Sequence, residues 1–219
     1  MIRYQMIAAA IVSSLLVFGA STALAGDWEN IGTTDGVEVH FKEVGDDFSA
    51  RGEIVADVHI GKILRVFTNP NERPYWVGNY VDHKTLDITR TSERYWIKLD
   101  PSRLVSARDY VIHANYEFDA ENRVFRSTAR SVEDDRMPEQ DCCVRAASNT
   151  VYTFEAIPGQ ERTRIHVEVS TDPKGRIPRR SVRSAVQDWP VSTLTNLIQR
   201  ASLDAMPVDS RVEDWHEAR

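Results

Sequence analysis

The side chains that could do chemistry are few in this chain of 219 residues. Its six histidines are scattered, and His40, His113 and His166 fall on the polar faces of alternating stretches. No HxH, HExxH or glycine-rich phosphate loop occurs, and no nucleophile-elbow pattern surrounds a serine. The spacing therefore points to no metal, no cofactor and no catalytic residue. Cys142 and Cys143 are the only cysteines and are adjacent. Neighbouring Cα atoms lie about 3.8 Å apart, closer than disulfides usually allow. Two free thiols are expected, with partial oxidation as the alternative, and without a histidine at metal spacing they make no zinc site.

Two charged motifs remain. Arg108-Asp109 reads as an ion pair or turn hydrogen bond at a strand start, with ligand contact as the other reading. Arg145 alternates with Val144 and Ala146, so it occupies one face of a strand. It either points inward, toward a carboxylate or phosphate, or spans the outer face. Tyr110, Tyr116 and Tyr152 stand on apolar strand faces, where a buried hydroxyl wants a partner. Those faces offer tyrosines but no inward Asp, Glu or His.

Positioning these residues falls mostly to strands. Val37, Val39 and Phe41 alternate with polar residues after an Asp35-Gly36 turn, and Ile54, Ala56 and Val58 follow. Asp27 to Asn30 starts a short helix or simply leads in. The period changes over His59 to Phe67, where Ile60, Ile63, Leu64 and Phe67 share a helical face. Tyr80 to Arg90 is polar on both faces, as at a sheet edge. In the next strand Tyr95, Ile97 and Leu99 oppose Trp96 and Lys98. Tyr110, Ile112, Ala114, Tyr116 and Phe118 then alternate cleanly, as do Tyr152, Phe154 and Ala156, and Ile165, Val167 and Val169. Short connections make the sheet antiparallel, about seven strands in all.

The longest helical signal comes last. Pro178 stands at the first helical position, and Val182, Val186, Trp189, Leu194, Leu197 and Ala201 form an apolar stripe ending at Pro207. The expected class is α+β, with the sheet curled around this helix and an aromatic and aliphatic pocket between them. Pro190 inside the helix removes a hydrogen bond and is a candidate hinge. Lys174, Arg176, Arg179, Arg180 and Arg183 place positive charge at the helix start, where it opposes the dipole. This is either a solvated helix end or a docking patch for anionic membrane.

Residues 1–25 read as a signal peptide, with Arg3 at the start, an apolar run from Met6 to Ala20 and an A-x-A site ending at Ala25. The run is short for a span of about 20 residues. An exported, periplasmic or secreted protein is expected, with a domain over 26–206 and a C-terminal tail over 207–219. The full chain has 27 Lys and Arg against 33 Asp and Glu, a net charge of −6. An acidic balance argues against nucleic acid as a partner.

Four stretches, in order, resemble the StAR-related lipid-transfer (START) family. They are Arg73-Pro74-Tyr75-Trp76, Ser106-Ala107-Arg108-Asp109-Tyr110-Val111, Val144-Arg145-Ala146, and the turn from Asp172 to Pro178; Asn196-Leu197 falls where the family's last helix often carries Asn. The resemblance implies a helix-grip fold that holds one lipid, a sterol, fatty acid or phospholipid, without catalysis, in a protein expected to be monomeric. Cavity candidates are Trp76, Tyr95, Ile97, Tyr110, Ile112, Ala114, Tyr116, Arg145, Tyr152, Phe154, Val182, Val186, Trp189, Leu194 and Leu197. Some sterol-binding members carry a buried acid–base pair; here its positions fall at Ala114 and near Ile97 or Leu99, all apolar. The competing readings are a cyclase or hydrolase on the same scaffold, which would need a buried acid or base, and a plain domain with a filled core.

Overall fold

A computed structural model describes residues 27–44, 47–100 and 106–218. The signal-peptide reading of residues 1–25, the start of the turn at 45–47 and most of the loop 100–107 lie outside the described residues. One sheet carries β1 (Glu29–Thr34), β2 (Val37–Val44), β3 (Asp47–Ala56), β4 (Tyr80–Ile88), β5 (Ser92–Leu99), β6 (Arg108–Asp119), β7 (Val124–Ser131), β8 (Val144–Arg145), β9 (Ala147–Ala156) and β10 (Thr163–Asp172). Its order is β1-β2-β3-β10-β9-β7-β6-β5-β4. Every pairing is antiparallel except that of β8 with β6. Between β3 and β4 come α1 (Ile60–Phe67), a 3₁₀ turn (Pro70–Glu72) and α2 (Arg73–Trp76), and α3 (Arg179–Ala201) follows β10.

The class is the expected one, α+β with an antiparallel sheet and a long terminal helix, but the sheet has ten strands rather than about seven. Glu29 begins a strand instead of a helix. Every residue of β1 is exposed, so no alternation marks it in the sequence. It is joined to β2 by Asp35 and Gly36, both at positive φ (50° and 80°), the backbone of a tight hairpin turn that Asp-Gly favours. The expected long strand from Val144 breaks at Ala146, with its first two residues crossing to β6.

Alternation decides which faces are buried. Val37, Val39 and Phe41 of β2 are within 3% of full burial while their neighbours stay outside. The inner faces, α1 and α3 form the main core, with Phe67 at its centre. Its ring meets Tyr152 at 4.8 Å, Phe154 at 5.2 Å and Trp76 at 5.7 Å. β6 is buried on both sides, because Met137 of the loop after β7 covers Trp96 and Val111 on the outer face.

Helix α3 buries Val182, Val186, Pro190, Thr193, Leu194, Leu197 and Ala201. Pro178 caps it rather than starting it. The helix lies so near β3 that a Cβ on Gly52 would sit 2.7 Å from Cβ of Pro190; only glycine permits the approach. Residues 207–218, which the sequence left as a tail, pack onto the domain. Val212 and Trp215 enter the main core. Nε2 of His216 accepts the Ile60 N–H at 2.9 Å, and the Asp209 N–H donates to the Gly61 carbonyl at 3.1 Å. No helix among the described residues is long and apolar enough to cross a membrane.

Candidate functional site

The concave side of β5 and β6 holds a polar group that the sequence reading missed. Helix α2 sits where Asn69 caps the preceding turn and Pro74 occupies the first helical turn. It delivers Arg73 to the inner face of β5, where Glu93 stands opposite Ala114 of β6. Arg73 is 5% exposed and Glu93 1%. Arg73 Nη2 donates to Glu93 Oε2 at 2.8 Å, and the Tyr116 hydroxyl donates to the same oxygen at 3.1 Å. The Arg73 guanidinium stacks over the Tyr95 ring at 3.9 Å, a cation–π contact that strengthens when water is excluded.

This network is only half satisfied. Arg73 Nη1, Glu93 Oε1 and Trp76 Nε1 are buried without a hydrogen-bond partner among the described residues. Leaving a buried polar atom unpaired costs on the order of 1–3 kcal/mol. The guanidinium and the carboxylate thus each keep one hydrogen-bonding atom unfilled. Burial pushes the Tyr95, Tyr116 and Tyr152 phenols above their ordinary range, with Glu93 adding to the effect at Tyr116. They therefore keep their protons, and that of Tyr116 goes to Glu93. Tyr80 and His83 close the network toward the sheet edge, hydroxyl to Nδ1 at 2.8 Å; burial and the Arg73 charge lower the imidazole's pKa.

The statement that no acid faces inward is therefore corrected. Glu93 shares the face of Tyr95, Ile97 and Leu99 by the period of two along a strand. Carrying that alternation two residues further back would have found it. Arg73 stands in the Arg73-Pro74-Tyr75-Trp76 stretch, whose resemblance rests on the tryptophan and says nothing of the arginine. The positions compared with a buried acid–base pair, Ala114 and Ile97 or Leu99, are indeed apolar; the pair comes instead from α2 and the start of β5.

The other candidates divide. Trp76, Ala114, Tyr116, Tyr152, Phe154, Leu194 and Leu197 share the main core. Val182 and Val186 join Phe41, Phe48, Ala50 and Val169 in a second cluster, and Trp189 touches both. Trp189 lies 6.2 Å from Tyr152, ring to ring. Tyr95, Ile97, Tyr110 and Ile112 line the inner face of β5 and β6 beyond the core, and the Tyr110 hydroxyl shares a hydrogen bond with Thr171.

Arg145 does not reach this face, which corrects its place among the cavity candidates. On the outer face its Nη2 meets Asp109 Oδ2 at 2.7 Å and the Met137 carbonyl at 3.1 Å, and Trp96 Nε1 donates to the same Asp109 oxygen at 2.8 Å. β8 pairs parallel to β6, with Arg145 beside Asp109, so residues of equal parity face the same way. Arg108 donates to the Pro173 and Lys174 carbonyls, each at 3.2 Å, and holds the turn that leads into α3. Both members of the Arg108-Asp109 motif are thus structural.

The basic cluster is mostly tied down. Arg179 and Arg183 both bind Glu43, and Lys174 pairs with Asp172. Arg176 and Arg180 make no ion pair among the described residues and are exposed.

No protein-family model matches the chain. It is 31% identical over 192 residues to the uncharacterized protein PA1579 of Pseudomonas aeruginosa, across 85% of this chain and 93% of the relative. Among solved structures it resembles a STAR-related lipid transfer protein of Xanthomonas axonopodis, with a TM-score of 0.72 at 21% identity over 80% of this chain and 99% of that one. Human StAR-related lipid transfer protein 5 gives 0.72 at 22% identity, over 81% and 86%. At 31% identity over most of both chains, this chain belongs to one family with PA1579, and it has the helix-grip fold of the START domains.

Proposed function

We propose that this protein is a non-catalytic lipid carrier that holds one hydrophobic ligand between α3 and the inner face of β5 and β6. The observation that carries the reading is the buried Arg73–Glu93 pair with one free donor and one free acceptor. A single hydroxyl, accepting from Arg73 Nη1 and donating to Glu93 Oε1, fills both. A ligand carboxylate would satisfy Arg73 but meet the Glu93 charge. The favoured ligand is therefore a neutral lipid alcohol, sterol-like or acyl, rather than a fatty acid or phospholipid. Its apolar body would lie along Tyr95, Ile97, Tyr110, Ile112 and Trp189, each buried CH₂ contributing about 0.8 kcal/mol. The lipid-transfer names of the START-fold structures support a lipid ligand. Movement of α3 about Pro190 would open the site.

Export with cleavage near Ala25 belongs to the same reading, as does a monomer that touches anionic membrane transiently through Arg176 and Arg180. The competing reading, a cyclase or hydrolase, draws on Glu93 as a buried carboxylate. The deciding experiment is native mass spectrometry of protein from its own host with lipid extraction, then uptake of a sterol, a long-chain alcohol, a fatty acid and a phospholipid. Uptake of the alcohols, unchanged on release and weakened at least tenfold by Glu93→Gln, is expected. An empty protein that takes up none of the four would sink the carrier reading, and released product differing from the lipid supplied would favour the enzyme.

A further inference from the structure

The adjacent cysteines play no part in ligand holding. They sit on the outer side of the sheet, in the loop between β7 and β8, and their sulfurs face each other at 2.8 Å. Cys142 is exposed and Cys143 half-buried. Lys98, on the outer face of β5, brings its ammonium to Cys142 Sγ. Two residues on, Arg145 anchors the loop to buried Asp109, so the pair is presented on a fixed platform.

We infer that Cys142 and Cys143 are a thiol–disulfide exchange site, with Cys142 as the attacking thiol and Cys143 as the resolving one, whose substrate is a small disulfide such as glutathione disulfide. The Cys142 thiolate attacks one sulfur of the small disulfide, forming a mixed disulfide and expelling one small thiolate, which takes up the proton that Cys142 gave up. Cys143, losing its proton, then attacks Cys142 Sγ. The vicinal disulfide closes and the second small thiol leaves. The small disulfide is reduced to two thiols as the two cysteines are oxidised.

The two sulfurs are not equivalent. Hydrogen bonds from Cys143 and from Lys98 lower the Cys142 thiol's pKa. Burial pushes Cys143 up to about 12, and the hydrogen bond and charge of Cys142 add to it. Thiolate character and access choose the attacker, and both choose Cys142. Adjacent Cα atoms, about 3.8 Å apart, strain the closed ring, and strained exposed disulfides are readily reduced. The site is thus a reversible one rather than a staple.

The test uses the full folded chain, reduced, freed of reductant and then exposed to glutathione disulfide. Intact mass should show the loss of two hydrogens with no adduct retained, both thiols should resist alkylation, and mild dithiol should restore them. Cys143→Ser should stop at one glutathione adduct on Cys142. Cys142→Ser should react many-fold more slowly, and Lys98→Met should slow the first step. Wild type that accumulates stable glutathione adducts, or that stays fully reduced, would overturn the inference. So would equal reactivity of the two single variants, their fold checked by circular dichroism.

Discussion

Helix α1 begins with two imidazoles as hydrogen-bond acceptors, and acid should loosen it there. His59 is the N-cap, its Nδ1 accepting the Gly61 N–H at 2.9 Å, while His216 Nε2 accepts the Ile60 N–H at 2.9 Å. The rings are tilted 54° to each other with centroids 4.3 Å apart. Gln160, Glu161, Glu213 and Glu217 surround them. Burial and the neighbouring His216 lower the His59 pKa, outweighing the Glu213 carbonyl and the Glu161 and Glu213 charges. A lowered folded value means that the folded state prefers the neutral ring. The contribution is complete above the unfolded value of about 6.5 and is lost as the pH falls through the folded one. The His59 imidazole is partly exposed, so the magnitude is better taken from the cap itself, about 1 kcal/mol. In a domain of this size that is about 2–4 °C of melting temperature. The perturbation is His59→Asn, which caps through an amide oxygen and does not titrate. Thermal melts from about pH 7.5 to about pH 5 should fall less for the variant by that amount. Limited proteolysis should show residues 207–218 of wild type cut sooner at the acid end. Parallel melting curves for the two proteins across the window would refute the argument, because every other titrating group is common to both.

Gly52→Ala should cost about 1–3 kcal/mol by overpacking, since Cβ of Pro190 is fixed by its backbone and cannot rotate away from the new Cβ; chemical denaturation measures it, and a variant as stable as wild type would contradict it. If Pro190→Ala alone left lipid uptake rates unchanged, the hinge would be ruled out. Arg145→Met leaves Asp109 charged, fully buried and short of its partner, and should destabilise by about 3–5 kcal/mol, while Arg145→Met with Asp109→Leu regains most of it; a single variant as stable as wild type would contradict this. Arg176→Gln with Arg180→Gln should weaken cosedimentation with anionic vesicles and leave neutral vesicles unaffected, and equal binding would end the docking proposal.

Which elements the sequence showed depended on how many sides of each are buried. β2 and β10 were legible because one face is buried and the other wet, which writes a period of two into the residue types. β1 was not, because an edge strand with every residue exposed carries no such pattern. Arg145 was ambiguous because alternation separates two faces without saying which is inner. The docked tail was hidden because its contacts, Val208 and Asp209 on Gly61 and His216 on Ile60, span more than 140 positions of chain.

Local patterning by itself determined the α+β class, the antiparallel sheet, the terminal helix with its apolar stripe, and most residues of the inner face. Those follow from periodicity and turn chemistry, which act over a few residues. Only the tertiary structure decided that Arg73 from α2 meets Glu93 from β5, that Arg145 turns outward, and that Glu43 pairs with two arginines of the basic cluster. Charge pairing is a property of distance in space, and a sequence records only distance along the chain.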